Sequence, residues 1–267
     1  MSSTQRLVLG VEYLGNAYHG WQRQSEAPSV QAVLEGVLSE IANHNVEIQC
    51  AGRTDSGVHA TAQHIHFDIK HPRPEKAWLK GANSLLPDDI SVYFAKQLEE
   101  DFHARFTATE RTYVYLIQNT NAPRATLSGR VTRVQAPLQH ELMHQAAQSL
   151  IGEQNFSAFR SAHCQSHTAH RNVTHVSVKR SGELIAIEIT ANAFLHHMVR
   201  NIVGSLIEVG SGRQSIDWIA DLISKENRCL AGATASPYGL YLCAVGYPAP
   251  FGLSNAVRYP LLMANNF

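Results

Sequence analysis

The residues best suited to chemistry in this 267-residue chain fall in one run, Ala51-Gly52-Arg53-Thr54-Asp55-Ser56-Gly57-Val58-His59-Ala60. It sets charged and hydrogen-bonding side chains between two glycines, and such a loop lets the backbone approach a ligand closely. A carboxylate there can act as a nucleophile or stabilise an oxocarbenium-like centre. Arg53 lies two residues before Asp55, so in an extended loop the two share a side. The alternative is an Asp-Ser-Gly turn in which Asp55 only caps backbone amides.

Two further residues stand out by context. Arg200 interrupts an apolar helical stripe near its first turn; a charge there needs a partner, or must emerge at the helix edge. Tyr113 lies on a strand apolar on both faces, where a tyrosine is a core residue unless a pocket claims it. The fifteen histidines raise the question of a metal. His64 and His66 alternate on one strand face and His196-His197 are adjacent, but adjacent helical histidines point different ways and no H-E-x-x-H occurs, so no catalytic metal is expected. Phe156 and Phe159 read as core.

Alternation over Arg6 to Tyr13 predicts a strand, and Val30 to Ile41 follow helical spacing behind a capping Ser29. Val46 to Ala51 and Gln63 to Lys70 read as strands, Pro74 to Leu86 as a helix and Ile90 to Lys96 as a strand. The second half has a strand over Arg111 to Gln118, a helix over Leu138 to Leu150 and a hairpin of Val173 to Arg180 with Leu184 to Ala191. A helix over His196 to Val209, another near Ile216 to Ser224 and a strand over Leu240 to Tyr247 complete it. The order β-α-β-β-α-β thus occurs twice, which predicts an α+β fold of two ferredoxin-like, split β-α-β halves whose antiparallel sheets join around a central cleft. The expected divisions are residues 1–105, 106–248 and a tail 249–267.

Hydrophobic residues make up 44% and charged residues 16%, with net charge zero, so a folded chain with a sizeable core is expected and disorder is excluded. Neutrality counts mildly against nucleic acid, but charge is uneven. Ser161 to Gly182 has no acid and holds Arg171, Lys179, Arg180 and four histidines. Arg105, Arg111, Arg124, Arg130 and Arg133 form a second basic zone, while acids gather at Glu99-Glu100-Asp101. The four cysteines form no C-x-x-C pair, Met1 to Arg6 shows no leader, and no stretch reaches membrane-spanning length, so a cytoplasmic protein is expected.

The run Gly52 to Ala60 closely resembles the fingerprint of the tRNA pseudouridine synthase A family. The likeness continues in order along nearly the whole chain. It takes in Gly20-Trp21-Gln22 with Ser29-Val30-Gln31, Arg111-Thr112-Tyr113-Val114-Tyr115, Phe156-Ser157-Ala158-Phe159, the run Phe194 to Gly204, and Gly239-Leu240-Tyr241-Leu242. The least typical parts are Ala235 to Tyr238, the tail after Pro248 and the His-rich stretch from His163 to His175.

The resemblance implies an enzyme that isomerises uridine to pseudouridine at positions 38, 39 and 40 of the tRNA anticodon stem-loop. It implies Asp55 as the catalytic carboxylate, Arg53 filling the space left by the displaced base, and Tyr113 stacked near the uracil. Arg200 would pair with Asp55 and Leu240 would line the pocket. It implies a homodimer bound to tRNA, with no cofactor and no membrane partner. The reaction breaks N1–C1′, turns the uracil and joins C5 to C1′, with no net electron transfer, in keeping with the lack of a nucleotide-binding glycine motif. Whether Asp55 adds to C1′, adds to C6 or assists 2′-proton removal is left open by the residues. A stacked uridine hides C1′ and C5, so the base must be extruded. The competing classes are a non-catalytic RNA-binding module and a small-molecule hydrolase or metal enzyme.

Overall fold

The computed structural model describes residues 5–99 and 101–263. The first residues of the polar N-terminal stretch, Glu100 of the acidic cluster and the end of the expected tail lie outside the described residues. Contacts divide the chain into two compact units, Met1–Thr109 with Leu242–Arg258, and Glu110–Tyr241 with Tyr259–Phe267.

The first unit runs β1 (Gln5–Tyr13), α1 (Val30–Ala42), β2 (Gln49–Cys50), β3 (His59–Ile69), α2 (Glu75–Leu85) and β4 (Ile90–Leu98), and later receives most of β10 (Leu240–Gly246). Its strands lie in the order β4-β1-β3-β10, with the short β2 also on β3. β1 pairs antiparallel with β3, Leu9 facing Ile65 and Val8 facing His66. Ser29 caps α1 as its position predicts, its hydroxyl accepting from the Ala32 amide. Leu34, Leu38, Trp78, Leu7, Leu9 and Ile65 are fully enclosed and form the core on the helical side. Burial of β1 is continuous from Leu7 to Val11, not alternating. The reason is an aromatic layer on the other face. His64 packs against Phe94 and Tyr247 at 5.3 and 5.4 Å, and Phe102 against Tyr247 at 5.1 Å. His64 and His66 therefore do share a face, as their spacing predicts, and that face is a packed aromatic layer.

The strand expected over Val46 to Ala51 shrinks to Gln49–Cys50, while β3 begins at His59, earlier than its apolar pattern suggests. Val46 and Ile48 are buried without joining the ladder, held by side chains instead: Ser39 Oγ accepts from the Val46 amide at 2.9 Å and Glu35 Oε1 from the Ile48 amide at 3.1 Å.

The second unit runs β5 (Glu110–Asn119), β6 (Thr132–Val134), α3 (His140–Ala147), β7 (Gly152–Asn155), β8 (His170–Ser181), β9 (Leu184–Ala191), α4 (Met198–Gly210) and α5 (Trp218–Lys225). Its strand order is β5-β9-β8-β7, and β6 lies parallel to β5. Phe156 and Phe159 are wholly buried, as core residues. α4 starts at Met198, because His197 sits in the left-handed region at φ 63°. His196 and His197 are thus not helical neighbours turned apart, as the sequence predicts; their rings lie 3.9 Å apart.

Candidate active site

The Asp55 loop is held through both its backbone and its hydroxyls, by two side chains and by the main chain of the segment around Gly20. Gln63, wholly buried on β3, accepts from the Gly52 amide at 3.3 Å through Oε1 and donates to the Gly52 carbonyl at 2.5 Å through Nε2. Tyr13 OH meets Thr54 Oγ1 at 2.8 Å. The Trp21 amide donates to Thr54 O at 3.0 Å, and Tyr18 O accepts from Ser56 Oγ at 3.3 Å. Asp55 closes the turn, its carbonyl accepting from the Val58 amide at 3.1 Å. Gly57 takes φ 79°, a conformation open to glycine at little cost.

The bond network ties Gly20-Trp21-Gln22 and Ser29-Val30-Gln31 to the loop. Gly20 takes φ 92°, and a Cβ on it would lie 2.9 Å from Thr54 O. The Val30 and Gln31 amides donate to Gly20 O and Trp21 O, fixing the segment to the start of α1. His59 Nδ1 accepts from the Gly15 amide at 2.9 Å, which requires the proton on Nε2. The Tyr18 hydroxyl donates to Asp89 at 2.6 Å, and burial together with that carboxylate pushes its pKa up.

On this scaffold Asp55 is half-buried and Arg53 exposed. Arg53 makes no ion pair with an acid among the described residues. Its guanidinium acts on Cys50: burial pushes that thiol up to about 12, against the weaker downward pull of Arg53 and Arg105.

In the second unit Tyr113 is nearly buried, with Phe194 edge-on at 4.9 Å. Arg200 is half-buried; its Nε donates to the Ala235 carbonyl at 2.8 Å, and the Ala235 amide returns a bond to Arg200 O at 3.1 Å. Leu240 is buried at the start of β10, behind a 3-10 turn over Pro237–Gly239. Asn201, one turn into α4, ties this region together. It donates to Phe159 O at 2.8 Å and accepts from Thr234 Oγ1 at 2.7 Å and Arg228 Nη2 at 3.1 Å.

The basic zones are in part structural. Arg124 pairs with Glu183 at 2.7 Å, Arg180 donates to Leu138 O and Asn119 Oδ1, and Arg133 to Asn121 O. The His-rich stretch folds around two arginines: Arg160 donates to Cys164 O and Ser166 O, and Arg171 to Thr168 O and Ser166 Oγ. Sequence reasoning missed Gln63, Tyr13 and Asn201. The available signal was a carboxamide or hydroxyl inside an otherwise apolar element, where burial demands a fixed partner.

The family model described as tRNA pseudouridine synthase matches residues 10–107 and 146–248. A tRNA pseudouridine synthase A of Aeromonas hydrophila is 55% identical over 261 residues, covering 98% of this chain and 97% of its own. One of Haemophilus influenzae is 54% identical over 258 residues, covering 97% and 96%. Among solved structures, a Cbf5-Nop10-Gar1 complex aligns with 91% of this chain at TM-score 0.37 and 12% identity; this chain spans about half, 49%, of that one. Among the described residues no helix is long and apolar enough to cross a membrane. With three quarters of its length under one family model and more than half of its residues shared with full-length relatives, the chain belongs to the tRNA pseudouridine synthase family and is an isomerase of that type.

Proposed function

We propose that this enzyme converts uridine to pseudouridine at positions 38, 39 and 40 in the anticodon stem-loop of tRNA, with Asp55 as the catalytic carboxylate. The N1–C1′ bond breaks, the uracil turns, and C5 bonds to C1′; the C5 proton departs and N1 regains one, so no cofactor is consumed. A carboxylate suits the electron-poor C1′ or C6 centre such a sequence passes through. The observation that carries the reading is the Asp55 loop, whose backbone is held by Gln63 and Trp21 and whose Thr54 and Ser56 hydroxyls are held by Tyr13 and Tyr18, while Asp55 itself is half-buried. Fixing the main chain around a functional side chain is how a site avoids reorganising during reaction.

In this reading Arg53, Tyr113, Arg200 and Leu240 bind the substrate. Arg53 supports base extrusion, and its exposed, acid-free guanidinium suits that role. Tyr113 stacks near the uracil and is suited to removing the C5 proton. Residues 1–105 carry the catalytic loop, 106–248 the partner half and 249–267 the tail, in a cytoplasmic homodimer. Asp55→Asn and Asp55→Ala, assayed by tritium release from tRNA holding [5-³H]uridine, should lose turnover and keep most tRNA affinity. Ordinary turnover by either variant would overturn the assignment, and pseudouridines mapped only outside the anticodon stem-loop would overturn the target.

A further inference from the structure

Phe106 leaves 75% of its surface in water, more than any other aromatic side chain among the described residues. An exposed phenylalanine by itself is ordinary. This one is held out by a turn with almost every polar group engaged. His103 Nδ1 accepts from the amides of Arg105 and Phe106 at 3.1 and 3.3 Å. Thr107 closes on His103 twice, its amide donating to His103 O and its hydroxyl accepting from the His103 amide at 2.9 Å. Below them His66 Nδ1 accepts from the Ala104 amide at 3.1 Å, Tyr247 OH donates to Ala104 O at 2.7 Å, and Arg6 donates to Phe102 O at 2.8 Å. The ring is part of an aromatic cluster: Phe106 lies tilted against the His103 ring at 4.3 Å, and His103 meets His66 edge-on at 4.6 Å. The Arg105 guanidinium sits 5.4 Å from the Phe106 ring centre.

The cluster has a definite address. His66 pairs across the ladder with Gln49, and Ile65 with Cys50, on the strand that runs straight into Gly52 and the Asp55 loop. A rigid, solvent-facing aromatic with an adjacent cation, anchored through His66 to the strand that leads into the Asp55 loop, is an arrangement suited to receiving unstacked nucleobases. A protein surface would need a wider apolar patch than one ring edged by imidazole and guanidinium. We infer that Phe106 is a stacking platform for an unpaired base of the RNA substrate, with Arg105 supplying positive charge beside it. The inference rests on the tRNA reading given above.

The test compares Phe106→Ala, Phe106→Leu and Phe106→Trp for affinity to unmodified tRNA at fixed salt and for turnover. Ala and Leu should each weaken binding by roughly five- to a hundredfold, the range of one lost base–aromatic stack, with little change in kcat at saturating tRNA. Trp should bind within about twofold of the unaltered enzyme, and tRNA should quench its added fluorescence, as expected for a stacked indole. Unchanged binding by the Ala variant, rescue by Leu, or an altered sedimentation coefficient of the Ala variant would each overturn the inference, the last by marking a contact between copies. If the unaltered enzyme binds and isomerises tRNA while the Ala variant does so equally, only the stacking role falls. If the unaltered enzyme does neither, the functional reading falls and takes this one with it.

Discussion

One side chain grips both polar groups of one peptide residue: Gln63 accepts from the Gly52 amide and donates to the Gly52 carbonyl, at 3.3 and 2.5 Å. A carboxamide carries a donor and an acceptor side by side in one plane, so it can do both at once without a change of protonation. Gly52 is three residues before Asp55, so this pair sets where the loop begins. Gln63→Glu keeps the acceptor and removes the donor. It should lower kcat by about ten- to a hundredfold, since displacements near 1 Å cost that much, while tRNA affinity changes little. A rise in KM with unchanged kcat would show that Gln63 does not position the loop.

Gly20 and Gly36 should respond to alanine with opposite signs. Gly20 has φ 92° and no room, with Thr54 O 2.9 Å from where a Cβ would sit. Gly20→Ala should cost about 1–3 kcal/mol and lower turnover by shifting the Thr54–Asp55 peptide. Gly36 lies inside α1 with nothing within 4 Å of its would-be Cβ. Gly36→Ala should stabilise by about 0.5–1 kcal/mol and leave turnover unchanged. Urea unfolding and the tritium assay on both variants check the pair; stabilisation by Gly20→Ala would refute the close-approach argument.

His64 should make the protein acid-labile. It is buried among Phe94 and Tyr247, its Nδ1 has no partner, and burial lowers its pKa from 6.5 to about 4. Above pH 6.5 the ring is neutral in both states and adds no pH dependence. Between pH 6.5 and about 4 the unfolded chain takes up the proton and the folded one does not, so stability falls as pH falls. Full titration across that window removes up to about 3 kcal/mol. His66, lowered to about 4 mainly by burial, acts in the same direction. Urea midpoints at pH 7 and pH 5 should differ less for His64→Leu than for the unaltered chain; equal differences would place the acid sensitivity elsewhere.

Asn201 should be among the costliest polar residues to remove. It satisfies Phe159 O, Thr234 Oγ1 and Arg228 Nη2 from a position 1% exposed. Asn201→Ala strands the buried Phe159 carbonyl, while Thr234 and Arg228 keep their bond to each other, and should cost about 1–3 kcal/mol, read as a lower urea midpoint with an unchanged slope. A loss below about 0.5 kcal/mol, the level of an ordinary surface substitution, would mean that water replaces the amide.

Much of this was legible in the chain. Apolar spacing located α1, α2, β4 and the β8–β9 hairpin by a regular stripe or face, and β5 and β10 by continuous apolar runs that are buried on both faces. The chemical loop was legible because Arg, Asp and Ser between glycines have no packing purpose. What was not legible depended on partners distant in sequence. β6 and β7 are only three and four residues long and exist through pairing with β5 and β8. The left-handed His197 shortens α4 for reasons no helical pattern encodes. That Leu242–Arg258 would group with the first unit was hidden too, since a strand pattern does not name its neighbour.

That last segment has a consequence for biosynthesis. Thr61 on β3 is bonded to the Arg258 carbonyl, Arg258 Nε returns a bond to Thr61 O at 3.0 Å, and Tyr247 OH donates to Ala104 O. All of Glu110–Tyr241 leaves the ribosome between these partners. Until Leu242–Arg258 emerges, the nascent first unit carries β3 without its β10 neighbour, so the half bearing Asp55, although translated first, waits for nearly the whole chain before its sheet can close.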